Sequence, residues 1–359
     1  MTRHFDPISP SHSCNTKSVS ALPYRDLGEE IIRNNQVAVV IAAGGDGSRL
    51  GHNGPKGTFN LGHFGSIFNV LLTRFVRDSS AFSLEKLIVV IITSPRNHED
   101  TVAHIRSLPV ASLCDIHFIT QTMLPALSQD KKTNLYSGPN LEPILAPSGN
   151  ADFYPVMLNS GMIAKLRGKG VKYLSYVTVD NVSSQPLDPI ALGFMAKESL
   201  SVVNKVLRRN DPNEKVGVCC LIDDAPGVLE YTELSDEVRN ELGKFPYSNI
   251  GLHIFSVDFV AKIASSHFDE IPFHWAHKAI SYYDTEKEMM IVPEEANGWK
   301  REKFIFDAFQ FCKSEEFGIY EVSREQFTPI KDRVGKDSPD NAIIVLESNF
   351  GVDGILEAQ

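Results

Sequence analysis

The sequence predicts an α/β fold, a Rossmann-like mixed sheet with helices on both faces. Three observations predict it. Apolar runs of strand length recur along the first half of the chain, each followed by a segment of helical spacing. These runs are continuous rather than alternating, as in strands covered on both faces. After Ser201 the pattern changes to strand-like segments joined by short turns, an antiparallel extension of the sheet.

The elements follow in order. The first 25 or so residues are polar and form an arm, and "YRDLGEEIIRN" is a short helix with Asp26 as its N-cap. Val37 to Ala43 is a buried strand, followed by the Gly-rich stretch "GGDGSRLGHNGPKG". "SIFNVLLTRFVRD" has helical apolar spacing at Ile67, Val70, Leu71 and Phe75. "KLIVVIITS" is a second strand, "NHEDTVAHIRSL" a helix capped by Asn97, and "DIHFITQ" a third strand. "YPVMLNSGMIAKLRGKG" is helical and closed by Gly170. "KYLSYVTVDN" is a strand, and "DPIALGFMAKES" a helix with proline in its first turn. "SVVNKVLRR", "KVGVCCLID", "GVLEYTEL" and "SNIGLHIFSV" are the later strands. "KREKFIFDAFQFCK" is an amphipathic helix or a strand–helix junction, and the C-terminal stretch holds one apolar run, "AIIVLES".

The formal net charge of −10 argues against nucleic acid or a membrane surface as partner. It does not exclude a small anionic substrate, since a local group of cations or a divalent metal offsets it. The longest apolar run, Leu87 to Ile92, is far short of the roughly 20 residues of a membrane span. The N-terminus lacks an apolar signal region, and a transit peptide is a weaker alternative, so a cytoplasmic protein is expected. Cys14, Cys114, Cys219, Cys220 and Cys312 have no metal-binding spacing and read as reduced thiols. Adjacent in a strand, Cys219 and Cys220 point to opposite faces.

In open α/β sheets ligands bind beyond the carboxyl ends of the strands. That rule selects the Gly-rich loop, "TQTMLPALSQDKK" and "VDN". Gly45, Gly47 and Gly51 miss the dinucleotide spacing by one residue, no acidic ribose partner follows at the right distance, and no Walker pattern is present. Arg49 and Lys56 in the same loop, with Pro55 fixing the backbone before Lys56, suit a reaction in which phosphate charge moves.

At this point the loop resembles a family signature. "AAGGDGSRLGHNGPKG" is similar to the G-G-x-G-[ST]-R-[LM]-G-x-x-x-P-K loop of the UDP-sugar pyrophosphorylases, and most of all to their eukaryotic UDP-N-acetylglucosamine branch. "TSPRNHEDT", "TQTMLPALSQDKK", "LAPSGNADFY", "YLSYVTVDNV", "KVGVCCLIDDAPGVLEYTELSD", "NGWKREKFIFDAFQFCK" and "FTPIKD" resemble further segments of that family, collinear from about residue 37 to 333. The resemblance implies the family's nucleotide-diphospho-sugar transferase fold. It implies an N-terminal arm and helix at 1–36, a catalytic domain at 37–325 and a short C-terminal segment at 326–359. It also implies a uridylyltransferase acting on UTP and an N-acetylhexosamine-1-phosphate.

The roles it implies are these. Backbone at Gly44 and Gly45 approaches uridine. Arg49 holds the phosphates that leave as pyrophosphate, Lys56 stabilises the α-phosphate, and Lys331 reaches over the sugar-phosphate. Gln121 and Gly149 read uracil, and Asn150 bridges to hydroxyls. Asp180 is the Mg²⁺ ligand, with a turn or N-cap role as the other reading of its position. Gly217, Glu230, Tyr231 and Asn249 contact the hexose, although Glu230 and Tyr231 also read as an ordinary strand pair. Phe304 and Phe306 wall the N-acetyl group or else belong to the core.

Two departures bear on the sugar. Pro246 replaces the first asparagine of N-x-G-N-I, and Ala151–Asp152 stand where G-G is expected. They keep open a UDP-glucose or broad-specificity enzyme, and behind it a catalytically silent UDP-sugar binder. Both ends are short against the larger members of the family, which implies a monomer.

Overall fold

A computed structural model describes residues 4–8, 13–15 and 22–350. Its main strands are β1 (Val37–Ala42), β2 (Leu87–Thr93), β3 (Cys114–Thr120), β4 (Tyr173–Thr178), β5 (Val202–Arg208), β6 (Gly217–Ile222), β7 (Ala225–Leu229), β8 (Tyr247–Ser256), β9 (His274–Lys278), β10 (Gly298–Glu302) and β11 (Phe317–Glu321). The central sheet runs β11-β5-β8-β4-β1-β2-β3. Strands β4, β1, β2 and β3 are mutually parallel. Strand β8 is antiparallel to β4 and β5, and it also carries the β6–β7 hairpin. This is the mixed sheet that the sequence predicts, with the change of direction after β4.

Alternate residues of β1 face opposite layers. Val37, Val39 and Ile41 join one core with helices α1 (Leu22–Arg33), α2 (Ile67–Ser80), α3 (His98–Ser107) and the C-terminal helix Pro339–Phe350. Ala38 and Val40 join the other core with Phe153–Asn159, Met162–Gly168 and the 3-10 segment Ile305–Phe311. Both layers exclude water from the sheet, and each buried aliphatic side chain contributes about 1.5–3 kcal/mol.

Several local expectations need correction. The first helix begins at Leu22, so Asp26 lies within it and caps nothing. The helix expected over 154–170 is two helices, broken at Ser160–Gly161, where Gly161 is left-handed (φ 73°). Part of the N-terminal arm is ordered: Phe5–Asp6 pairs with β6, and Ser13–Asn15 pairs with β11. Residues 1–3, 9–12 and 16–21 and the final nine residues lie outside the described residues. The run "AIIVLES" belongs to a helix whose Ala342 and Leu346 are buried. Cys114, Cys219, Cys220 and Cys312 are buried free thiols, while the side chain of Cys14 lies outside the described residues. Among the described residues no helix is long and apolar enough to cross a membrane.

Candidate active site

The Gly-rich loop leaves β1 and is held by hydrogen bonds within itself and to Asn97. A Cβ on Gly44 would lie 2.6 Å from Nε2 of Gln121, so glycine alone lets that carboxamide lie against the backbone. The N–H of Gly47 donates to the carbonyl of Gly54 (2.9 Å), and the N–H of Lys56 donates to that of Gly45 (3.1 Å). Asn97 does not cap α3. Its Oδ1 accepts from the N–H of Ser94, and its Nδ2 donates to the carbonyls of Ala43 (3.1 Å) and Gly45 (3.3 Å). A buried amide thus fastens the loop to the end of β2, a role that helix patterning alone does not reveal. Arg49 remains exposed, and Lys56 donates from Nζ to the carbonyl of Ile330 (3.3 Å).

That carbonyl belongs to the segment carrying Lys331. The N–H of Ile330 donates to the backbone oxygen of Asp180 (2.9 Å). Asn181 is fully buried; it accepts from the N–H of Thr328 (2.9 Å) and donates to the carbonyl of Gln326 (2.9 Å). Arg74, buried in α2, donates to the carbonyls of Val182 and Ser183. So the end of β4, the Gly-rich loop and the 326–331 segment converge. The carboxylate of Asp180 is half-buried and makes no hydrogen bond or ion pair with the described residues. Among those residues no group of three or more His, Cys, Asp or Glu could hold a metal. A carboxylate with no hydrogen-bond or ion-pair partner among them is the kind of single ligand that magnesium takes, its shell being filled otherwise by phosphate oxygens and water.

Gly149 follows a different constraint. Its φ is +98°, and a Cβ there would lie 2.3 Å from the carbonyl oxygen of Lys303. Asn150 turns its Oδ1 to the N–H of Ile305 (2.8 Å), so that oxygen holds the fold. Asp152 is buried and accepts from the N–H and hydroxyl of Thr122, the residue after Gln121. The Ala151–Asp152 departure therefore supports the Gln121 segment. Neither residue is among those that line the cavity described next.

A cavity of about 830 Å³ opens beside the loop, and Arg49, Glu230, Tyr231, Phe304 and Phe306 all line it. Glu230 lies just past β7 in a turn, so "EYTEL" is not strand. Gly217 and Asn249 pair across β6 and β8 but are not among the lining residues. A Cβ on Gly217 would lie 2.6 Å from Val228 Cγ1 and 3.6 Å from Glu230 Oε1. The carbonyl of Pro246 accepts from the N–H of Arg209 (2.8 Å).

Sequence reasoning missed a charged group in the lining of this cavity. His274 stacks on Phe304 (ring centroids 4.2 Å apart), hydrogen-bonds Asp307 (2.9 Å) and lies 3.6 Å from Glu233. Burial alone would lower its pKa, but hydrogen bonds to Asp307 and Glu233 and their charges outweigh burial and raise it to about 9. Burial, with repulsion from Glu233 and Asp307, pushes the Glu230 carboxyl up, while His274 and Lys331 oppose that. Lys331 therefore bears electrostatically on the cavity. Phe273 and Trp275, on and beside β9, add exposed aromatic lining.

A sequence model of the family described as UTP--glucose-1-phosphate uridylyltransferase matches residues 2–349. The UDP-N-acetylglucosamine pyrophosphorylase of Saccharomyces cerevisiae is 31% identical over 334 residues, covering 89% of this chain and 70% of that protein. The UDP-N-acetylglucosamine diphosphorylase 2 of Arabidopsis thaliana is 30% identical over 347 residues, covering 89% and 66%. In fold, the chain is similar to the solved uridine diphosphate N-acetylglucosamine pyrophosphorylase of Trypanosoma brucei. The TM-score is 0.82 at 24% identity, over 96% of this chain and 73% of that one. The chain thus spans about two thirds of the length of the two sequence relatives.

Proposed function

The chain belongs to the UTP--glucose-1-phosphate uridylyltransferase family, and from that premise we propose that it forms UDP-N-acetylglucosamine and pyrophosphate from UTP and N-acetylglucosamine-1-phosphate. A sugar-phosphate oxygen attacks the α-phosphorus of UTP in line. The bond from the α-phosphorus to the oxygen bridging to the β-phosphorus breaks, and that oxygen leaves with pyrophosphate. The observation that carries this reading is the meeting of Lys56 with the Lys331 segment beside the unpaired carboxylate of Asp180. A binder of finished UDP-sugar has no need for cations gathered where a leaving group acquires charge.

In this reading Arg49 holds the leaving phosphates and Lys56 stabilises the α-phosphate as its charge redistributes. Lys331 holds the attacking sugar-phosphate. Gly44, Gly45, Gln121 and Gly149 place the uridine, with the Nδ2 side of Asn150 toward a hydroxyl. Glu230 and Tyr231 take hexose hydroxyls, backed by Gly217 and Asn249, and Phe304 and Phe306 wall the N-acetyl group. Asp180 would hold magnesium, which neutralises phosphate charge when bound. The four buried free thiols support a reducing, cytoplasmic setting.

The test is pyrophosphorolysis: UTP formed from pyrophosphate and UDP-N-acetylglucosamine, against UDP-glucose. Faster release from the N-acetyl sugar supports the proposal. Release from UDP-glucose alone moves the chain to the sibling activity, and binding of UDP-sugar without any UTP makes it a silent binder.

A further inference from the structure

The turn that carries Lys331 brings another cation to the Gly-rich loop. Arg333 is exposed, and its Nη1 lies 3.8 Å from the position that a Cβ on Gly51 would take. Among the described residues, outside the immediate chain neighbours of Gly51, no other heavy atom lies within 4 Å of that position. Gly51 is left-handed (φ 71°) and closes the 3-10 turn Ser48–Leu50, its N–H donating to the carbonyl of Ser48 (3.0 Å). The guanidinium of Arg333 therefore reaches the turn on which Arg49 sits. Neither arginine makes a hydrogen bond or ion pair with the described residues.

The turn is anchored at both ends. At its start, the N–H of Ile330 is held by the carbonyl of Asp180, and the N–H groups of Lys331 (2.8 Å) and Asp332 (3.1 Å) donate to the carbonyl of Asp337. At its far end, Nζ of Lys336 lies 3.2 Å from Oε1 of Glu214, which also takes a bidentate pair from Arg324 (2.7 and 3.2 Å). Lys56 thus meets the backbone just before Lys331, whose ammonium lies 3.7 Å from Oδ2 of Asp337, and Arg333 meets the turn that carries Arg49. Such a group, on a chain of net charge −10, is an arrangement for a polyanion. The planar fork of a guanidinium matches two phosphate oxygens at once.

Resting on the reading that UTP is the substrate, we propose that Arg333 binds the β- and γ-phosphates together with Arg49 and stays with them as pyrophosphate leaves. No family motif quoted for this chain extends to Arg333. Charge builds on those phosphates as the α–β bridge breaks, so the contact strengthens toward the transition state.

The experiment compares wild type, Arg333→Gln and Arg333→Lys by calorimetric titration with magnesium pyrophosphate and by steady-state kinetics. Arg333→Gln is expected to weaken pyrophosphate binding about tenfold, the scale of one lost charge-assisted phosphate contact. It should leave the KM for N-acetylglucosamine-1-phosphate unchanged, and Arg333→Lys should recover part of the loss. Unchanged pyrophosphate affinity in Arg333→Gln overturns the proposal. Titration decides Arg333 without turnover, so an inactive wild type that still loses pyrophosphate affinity on substitution counts against the functional reading and not against this site.

Discussion

Lys56 donates to the carbonyl of Ile330, so the ammonium proposed to meet the α-phosphate also ties two segments together. Lys56→Ala should lower kcat by about a hundredfold or more while UTP binding falls far less, because its charge acts mainly on the transition state. Equal losses in kcat and UTP affinity, measured by steady-state kinetics and equilibrium titration, would assign it to the ground state. Asp180→Asn should abolish magnesium-dependent turnover, and retention of most of it would remove the metal assignment. His274 carries a prediction in pH. Its folded pKa of about 9 lies above the 6.5 of a free imidazole, so its protonated ring stabilises the fold fully below pH 6.5. That contribution fades as pH rises through 9. The Tm gap between wild type and His274→Gln should therefore be wide at pH 6 and nearly closed at pH 10; a constant gap would show that packing on Phe304, not charge, holds the ring.

At the scale of elements, the decisive contacts join segments that sequence alone cannot see together. Gly149 is the clearest case: φ is +98° and a Cβ would meet the carbonyl of Lys303 at 2.3 Å. Gly149→Ala should cost about 2 kcal/mol or more by urea unfolding, since it imposes both backbone strain and a backbone clash. A loss under half that would mean the backbone at Lys303, just past β10, yields easily. Glu214 holds the outer end of the Lys331–Asp337 turn through Lys336 and Arg324. Glu214→Gln should speed amide hydrogen exchange across that turn and lower kcat several-fold, leaving exchange in the Gly-rich loop unchanged. Unaltered exchange would mean the turn is fixed by Asp180 and Asn181 alone.

For the whole molecule, what could be read from sequence was what lies contiguous in it. The buried runs of β1, β2 and β4 declared a sheet covered on both faces, and the change after Ser201 declared its antiparallel extension. Arg49, Lys56 and Asp180 stand out as candidates in the sequence because each follows a strand's carboxyl end, where such sheets bind ligands. The His274–Asp307–Glu233 group was not, because its members come from three segments that meet only through long-range packing. Asn97 was misread for a related reason. Its position before a helix suggested a cap, but tertiary contact with the Gly-rich loop offered its amide better partners. The helix break at Gly161 escaped notice because the apolar spacing continues across it.

The central claim is uridylyl transfer to an N-acetylated sugar-phosphate. Its most direct test is a single reaction holding UTP, magnesium and equal amounts of N-acetylglucosamine-1-phosphate, N-acetylgalactosamine-1-phosphate and glucose-1-phosphate, with the UDP-sugars separated as they form. The account predicts that UDP-N-acetylglucosamine accumulates first and in excess, with pyrophosphate equal in amount to the sum of the UDP-sugars. UDP-glucose as the main product, or pyrophosphate release with no UDP-sugar, would contradict it.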